Sequence, residues 1–340
     1  MKQRRSPTIL DVASRAGVSK STVSNVIRGV VGVSEETRDK VDSAIKQLGY
    51  RPNILARQLV QQRTNILGVV VGDLANPFYA EMAKSVERQA ATRGYTAMFC
   101  NTEGDSTSEV AGIEMLLAQR VAGVVFLRFS GDSRTMRETL QHHVPAVFVS
   151  CHEDWGDVVA VDDELGGRLA TRHLIEAGHT RLAFISIPEL SDSSDQARWV
   201  GCIREAGRPV KRVSWSPDAD RAEVDGKPRN LRDVFAGEDR VTGVFASNDL
   251  AAVDLMEFAD RVGLRVPEDI SIVGFDDVPI AGLARIALTT VAQPRDELAR
   301  RGIDTLVERI EGRLTGKPTT TFLPVKLVQR RSTSAALSAR

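Results

Sequence analysis

Thr8-Ile9-Leu10-Asp11-Val12-Ala13-Ser14-Arg15-Ala16-Gly17-Val18-Ser19-Lys20-Ser21-Thr22-Val23-Ser24-Asn25-Val26-Ile27 is the stretch that decides how this chain begins to fold. Thr8 can accept from the first amides of a helix, and Asp11, three residues on, can reach back to it as in a capping box. Leu10, Val12, Ala13 and Ala16 then continue a short helix. Gly17 tolerates a left-handed backbone, so the chain can turn sharply, with Val18 plugging the corner. Ser19 caps a second helix, Lys20 to Ile27, whose Val23, Val26 and Ile27 face inward, and small Ala13 lets the two helices cross closely. The pattern predicts a helix-turn-helix, whose second helix enters the major groove of DNA. Its outer side offers Lys20, Ser21, Thr22, Ser24 and Asn25, groups suited to base edges and phosphates. A solvated polar helix face has the same composition, so the two helices alone leave both readings open.

The residues beyond Ile27 favour the DNA reading. Ser34 caps a third helix with Glu35 and Glu36 in its first turn, where the dipole favours acids. Val41, Ala44, Ile45 and Leu48 recur at helical spacing and Gly49 stops them. Pro52 can then open a segment of about two turns, too short to be a stable helix alone in water. Over 340 residues the net charge is zero. Residues 1–63, however, carry twelve Lys or Arg against five Asp or Glu, leaving thirty-three against forty in the rest. A basic block at one end points to a polyanion partner for that end.

From Thr64 the pattern changes to short apolar runs alternating with amphipathic helices: Ile66–Val71, a helix 78–93, Thr96–Cys100, a helix 109–119, Val121–Leu127, a helix near 134–142, and Ala146–Ser150. A second set begins near Val158, with a helix 164–177, Arg181–Ser186, a helix near 196–206, a strand near 210–215, Thr242–Ala246, a helix 248–262 and Ile270–Phe275. This rhythm predicts two doubly wound parallel sheets, with ligands at the carboxyl ends of the strands between the lobes. Polar residues gather at those ends: Asn76-Pro77-Phe78-Tyr79, Asn101, Asp162-Asp163, Asp192, Ser194 and Arg198, Asn248-Asp249 and Asp276-Asp277. Strand ends are generically polar, and it is their common location that carries the reading.

The run from Thr8 to Ser24, with Leu48-Gly49-Tyr50-Arg51-Pro52-Asn53 and Ala56-Arg57-Gln58-Leu59, resembles the lactose-repressor (LacI–GalR) family of bacterial regulators, and the resemblance extends to about Arg331. It implies an all-α helix-turn-helix headpiece (1–51), a hinge helix and linker (52–63), and a periplasmic-binding-protein-like α/β effector and dimerisation core (64–331), followed by a tail (332–340). The core divides into one lobe of about 64–160 and 292–320 and another of about 161–291 and 321–331. The resemblance assigns Lys20, Ser21 and Asn25 to bases, and Thr8, Ser19, Thr22 and Ser24 to phosphates. It also assigns Asn53, Ala56 and Leu59 to a minor-groove hinge in which Leu59 wedges a base step. Tyr79, Asp162, Ser194, Arg198, Trp215, Asn248 and Asp276 match effector-contacting positions. A tryptophan with several carboxylates and amides suits a sugar, whereas Arg128 at a strand end suits an acid or phosphate.

The implied function is repression of a carbohydrate uptake or catabolism operon by a homodimer on a palindromic operator of double-stranded DNA, with release by a small-molecule effector. An effector that acts as co-repressor, or is not a sugar, stays open. A solute-binding protein and a two-lobed enzyme are rivals from other classes. The N-terminus lacks the apolar stretch of a secretory signal. No apolar run is long enough to span a membrane. Cys100, Cys151 and Cys202 form neither a disulfide framework nor a zinc site, which fits a cytoplasmic protein. No phosphate loop, nucleophile elbow or H-E-x-x-H motif occurs, so no catalytic residue, cofactor or metal is expected. Gly166-Gly167 falls within a predicted helix and is read as close packing.

Overall fold

Side-chain chemistry sets both ends of the first helices. The structure, a computed structural model, describes residues 7–27, 32–50, 64–129, 132–140, 144–188, 193–216 and 221–336. The chain divides into two compact units, Met1–Thr64 and Asn65–Arg340. Helix α1 (Ile9–Ala16) opens on the expected capping box, in which the Asp11 amide donates to Thr8 Oγ1 and the Thr8 amide donates to Asp11 Oδ2 at 2.7 Å. Gly17 ends it in the left-handed region, at φ 66°. Helix α2 (Lys20–Ile27) starts from Ser19, whose Oγ accepts the Thr22 amide at 3.0 Å. Helix α3 (Glu35–Leu48) starts from Ser34 and stops at left-handed Gly49. Their apolar stripes meet in one core of Val12, Ala13, Val23, Val26, Val41 and Ala44. Val12, Val23 and Val41 are fully buried, and each stabilises this unit by about 1.5–3 kcal/mol.

The second unit continues with β1 (Ile66–Val71), α4 (Pro77–Thr92), β2 (Thr96–Asn101), α5 (Ser106–Ala118), β3 (Gly123–Phe126), α6 (Ser133–Leu140), β4 (Ala146–Val149) and β5 (Asp157–Val161). Next come α7 (Asp163–Glu176), β6 (Leu182–Ser186), α8 (Ser193–Ala206), β7 (Lys211–Ser216), β8 (Arg221–Val224), β9 (Lys227–Arg229), α9 (Leu231–Val234), β10 (Gly243–Ala246) and α10 (Asp249–Arg261). The unit closes with β11 (Ser271–Asp276), β12 (Thr289–Ala292), α11 (Arg295–Ile310), β13 (Thr320–Leu323) and β14 (Lys326–Val328). Two sheets result, one in the order β13-β5-β4-β3-β1-β2 and one in the order β14-β12-β11-β10-β6-β7-β8-β9. The first is parallel throughout. The second is parallel from β12 to β7, with antiparallel strands at both edges. Strands β3, β5, β6, β10 and β11 are buried along their whole length, which is why they read as continuous apolar runs rather than alternations.

The chain crosses between the sheets three times, from β5 to α7, from β12 to α11, and from β13 to β14. The last crossing differs from the sequence expectation, which moved the chain to the second lobe at 321. Strand β13 instead pairs with β5 as far as Leu323 opposite Val161. Pro324, which cannot donate to a ladder, marks the exit. The hairpin β8–β9 was not anticipated. Asp225 and Gly226 turn it with φ 50° and 75°, and an Asp-Gly pair between short strands is its sequence signature.

Residues 332–336 are not a free tail. Ser332 is buried; its Oγ donates to the Ile272 carbonyl at 2.6 Å and accepts the Thr289 amide at 2.8 Å. His173 Nε2 meets Thr333 Oγ1 at 2.9 Å and His179 Nε2 meets the Ser334 carbonyl at 3.2 Å. Burial lowers the pKa of both imidazoles.

Gly166 and Gly167 are packing residues, as expected. A β-carbon on Gly166 would overlap the Phe275 ring, and one on Gly167 would overlap the Arg198 carbonyl. Gly201 stands in the same relation to the Glu164 carbonyl, so α7 and α8 approach backbone to backbone.

Candidate DNA interface and effector site

In the headpiece, α2 differs from its neighbours at its start. Asp11 lies in the first turn of α1, and Glu35 and Glu36 in that of α3, but α2 has no acid there. No acid of its own first turn therefore offsets its positive end. Lys20 and Ser21 are exposed on its first turn, and Asn25 lies one turn after Ser21 on the same face, partly exposed. Ser19 Oγ pairs with Ser21 Oγ at 2.7 Å and with Thr22 Oγ1 at 2.8 Å. Ser21, expected to read bases, and Ser19 and Thr22, expected to meet phosphates, therefore share one hydroxyl network around the cap. Ser24 is partly exposed on the second turn. Thr8 Oγ1 donates to Asp11 at 2.7 Å and serves the cap of α1. Asn53, Ala56 and Leu59 lie outside the described residues.

In the core, the carboxyl ends of β6, β10, β11 and β12 bring a polar cluster together around Arg198. Arg198 is 7% exposed. Its Nε donates to Asp163 Oδ1 at 2.9 Å and its Nη1 to the Ser247 carbonyl at 2.7 Å, and the guanidinium lies 3.7 Å from the Phe275 ring centroid. Asp195, one turn earlier on α8, comes within 4.0 Å of Nη1. The positive charge is therefore met inside the protein, in charge-assisted bonds and over an aromatic face. Ser194, Asn248 and Asp276 are buried beside these strand ends. Asn248 caps α10, its Oδ1 accepting the Ala251 amide at 2.8 Å. Asp276 Oδ1 accepts from Gln293 Nε2 at 2.7 Å. Two buried polar atoms here, Ser247 Oγ and Gln293 Oε1, have no hydrogen-bonding partner among the described residues. Such atoms are costly unless something else satisfies them.

Asp249 holds this cluster from beneath. Fully buried, it accepts the Val278 amide at 2.8 Å on Oδ2 and the Thr290 hydroxyl at 2.5 Å on Oδ1, tying three strand ends together. Burial, with the Asp276 carboxylate beside it, pushes its pKa well above the usual carboxylate range. Tyr79 is buried in the first turn of α4, its ring edge against Phe78 at 5.4 Å.

The expected site residues divide accordingly. Ser194, Arg198, Asn248 and Asp276 gather at the strand ends. Asp162 is the exposed N-cap of α7, accepting the Leu165 amide, and it is its neighbour Asp163 that pairs with Arg198. Trp215 is elsewhere. Period-two alternation along β7 turns Val213 and Trp215 together into a separate apolar core with Leu231, Phe235 and Phe258, where the indole is fully buried. Asp163 and Asp249 stood among the polar strand-end residues without an assigned effector contact, and Asp195, Ser247 and Gln293 were not singled out. The doublets Asp162-Asp163 and Asn248-Asp249 were visible signals, but which member turns inward depends on the helix start.

Similarity to known proteins agrees with this geometry. A family described as "Bacterial regulatory proteins, lacI family" matches residues 8–53, and a "Periplasmic binding protein-like domain" matches residues 171–333. The chain is 37% identical over 314 residues to the ribose operon repressor of Escherichia coli (strain K12), covering 89% of this chain and 93% of that protein. It belongs to the lacI family of bacterial regulatory proteins. The lac repressor dimer bound to operator and the anti-inducer ONPF superposes with a TM-score of 0.82 at 27% identity, covering 97% of this chain and 100% of that one. A LacI family regulator from Enterococcus faecalis V583 with bound ribose gives 0.69 at 28% identity over 79% of this chain and 99% of its own. This lacI-family protein is a DNA-binding transcription regulator and not an enzyme. No helix among the described residues is long and apolar enough to cross a membrane.

Proposed function

We propose that this regulator represses transcription as a dimer on a near-palindromic operator, and that a neutral monosaccharide bound between the lobes releases it. The observation that carries the ligand class is the balance of the Arg198 cluster. Its cation is already matched by Asp163, while Ser247 Oγ and Gln293 Oε1 wait for partners beside the Asp276 carboxylate. A ligand that donates several hydroxyls suits these acceptors, whereas an anion would face Asp276 and Asp163. A relative that is a ribose operon repressor and a LacI family regulator with bound ribose make a pentose the first candidate. A basic headpiece with an acid-free α2 start supports phosphate contact, with Lys20, Ser21 and Asn25 reading bases and Ser19, Thr22, Ser24 and Thr8 placing the helix on the backbone. Asn53, Ala56 and Leu59 would complete the interface in the minor groove.

The test is calorimetric titration of the full chain with D-ribose, D-xylulose, ribose 5-phosphate and hypoxanthine, paired with mobility shifts on duplexes selected from a random pool. Binding of a neutral pentose that lowers DNA affinity fits the proposal. Binding of only the phosphate ester would move the site to Arg128, whose side chain lies along Gly72 at the strand ends of the first lobe. Tighter DNA binding with sugar would make the effector a co-repressor.

A further inference from the structure

Asp276 and Asp277 are consecutive residues with positive φ, 113° and 55°, a region that L side chains rarely adopt. The main chain at this turn aims both carbonyls at one point. Nη1 of Arg295 occupies it, donating to the Asp276 carbonyl at 2.6 Å and to the Asp277 carbonyl at 2.8 Å. Arg295 comes from the other lobe. It is the first residue of α11, which packs on α4 and along β3, β4 and β5 of the first sheet. The next residue, Asp296, accepts from Ser85 Oγ at 2.6 Å and Arg88 Nη2 at 2.5 Å, both on α4. Helix α4 carries Tyr79 in its first turn. An unbroken series of contacts thus runs from the Asp276 turn through Arg295 and α11 to α4.

Other anchors hold the turn from its own side. Arg330 Nη2 donates to Asp277 Oδ1 at 2.6 Å, and the Val278 amide donates to Asp249. Arg295 differs from these because its own backbone is fixed in the first sheet's lobe. The structure shows the carbonyls converged on the guanidinium; a second arrangement with them rotated off it would make this strained turn a bistable contact, and such contacts can carry coupling.

We propose that Arg295 is a positioning residue that transmits the state of the Asp276–Asp277 turn to the first lobe and so couples effector occupancy to DNA affinity; this rests on the reading of Asp276 as an effector contact. A hydroxyl drawing on the Asp276 carboxylate rotates the peptide, the carbonyls leave Arg295, and α11 with α4 is free to shift. By reciprocity, seating of Arg295 alters effector affinity by the same factor.

The experiment compares wild type, Arg295→Met and Arg295→Lys as full-length protein, with D-ribose as the sugar and a duplex selected by wild type from a random pool. Amide hydrogen exchange of residues 276–278 and duplex affinity are measured without sugar, and duplex affinity again with it. Arg295→Met is expected to speed exchange at the turn about tenfold. It is also expected to shrink the sugar-induced change in DNA affinity at least about fivefold, with Arg295→Lys restoring part of both. Equal sugar responses in all three proteins, or unchanged exchange in Arg295→Met, overturns the proposal. If wild type ignores D-ribose, the effector reading fails by itself and the sugar-free measurements decide. Faster exchange with a shift in DNA affinity of about fivefold then supports the strut, and an unshifted DNA affinity overturns it.

Discussion

Gly167 on α7 faces the main chain of Arg198 on α8 with no room for a side chain, because a β-carbon there would overlap the Arg198 carbonyl oxygen. The residue at the centre of the polar cluster is therefore set at its height by a missing side chain on the next helix. Gly201 and the Glu164 carbonyl repeat the arrangement. Neither obstacle is a flexible side-chain end. Gly167→Ala and Gly201→Ala should each destabilise the core by about 1–3 kcal/mol or more through overpacking. Urea unfolding measures this, and an unchanged midpoint would show that the helices part without cost.

Arg198→Met leaves Asp163 buried without its cation, a loss on the order of 3–5 kcal/mol. Sugar binding should disappear while the headpiece still binds DNA. Adding Asp163→Leu removes one of the two acids beside Arg198, Asp195 remaining, and should recover part of the stability without recovering the sugar. If the double variant binds sugar as wild type does, the pair is structural only.

Asp249→Leu removes the acceptor to which the Val278 amide and the Thr290 hydroxyl both donate. The expected cost is about 1–3 kcal/mol, that of an unsatisfied buried group. Chemical denaturation at neutral pH is the measurement, and a stabilised variant would mean that the carboxyl is held there at a loss.

The buried histidines give a pH dependence with a definite sign. His173 and His179 titrate below 6.5 in the folded protein because burial disfavours their charged form. Below pH 6.5 the unfolded chain takes up protons that the folded one refuses, so stability is full above that pH and falls as pH drops toward the folded values. Thermal melts of wild type should decline from about pH 6.5 to 5, and those of His173→Gln/His179→Gln should decline less. Parallel curves would assign the acid sensitivity to other groups.

In the headpiece, Ser21→Ala and Asn25→Ala should change which bases are selected from a random pool, each good base contact contributing about 1–3 kcal/mol of discrimination. Ser19→Ala should instead cost about 1 kcal/mol of headpiece stability through its cap, weakening all duplexes alike. An unaltered selected site for both Ser21→Ala and Asn25→Ala would remove them from the readout.

Most of the headpiece was legible because its signals are local. Thr8 with Asp11, Gly17, Ser34 and Gly49 each act on residues within four positions. The sheets were legible from buried runs, and the Arg198 cluster from polar strand ends. What escaped depends on facing and on partners distant in sequence. Trp215 reads as a stacking platform until the alternation of β7 turns it inward. Asp163, rather than Asp162, meets Arg198 because it falls on the first turn of α7. The seating of Ser332 against Ile272 joins residues sixty apart, and no local pattern announces it.

The three crossings have a consequence in time. Contacts within the headpiece close as soon as its first fifty residues are made, whereas the second sheet waits for β14 and for Ser332 to Ser334, at the far end of the chain. Local contacts form fast and distant ones late. During synthesis each molecule can complete its helix-turn-helix well before its second sheet is whole. A message broken off near its end leaves a folded headpiece on a core whose second sheet lacks its last strand.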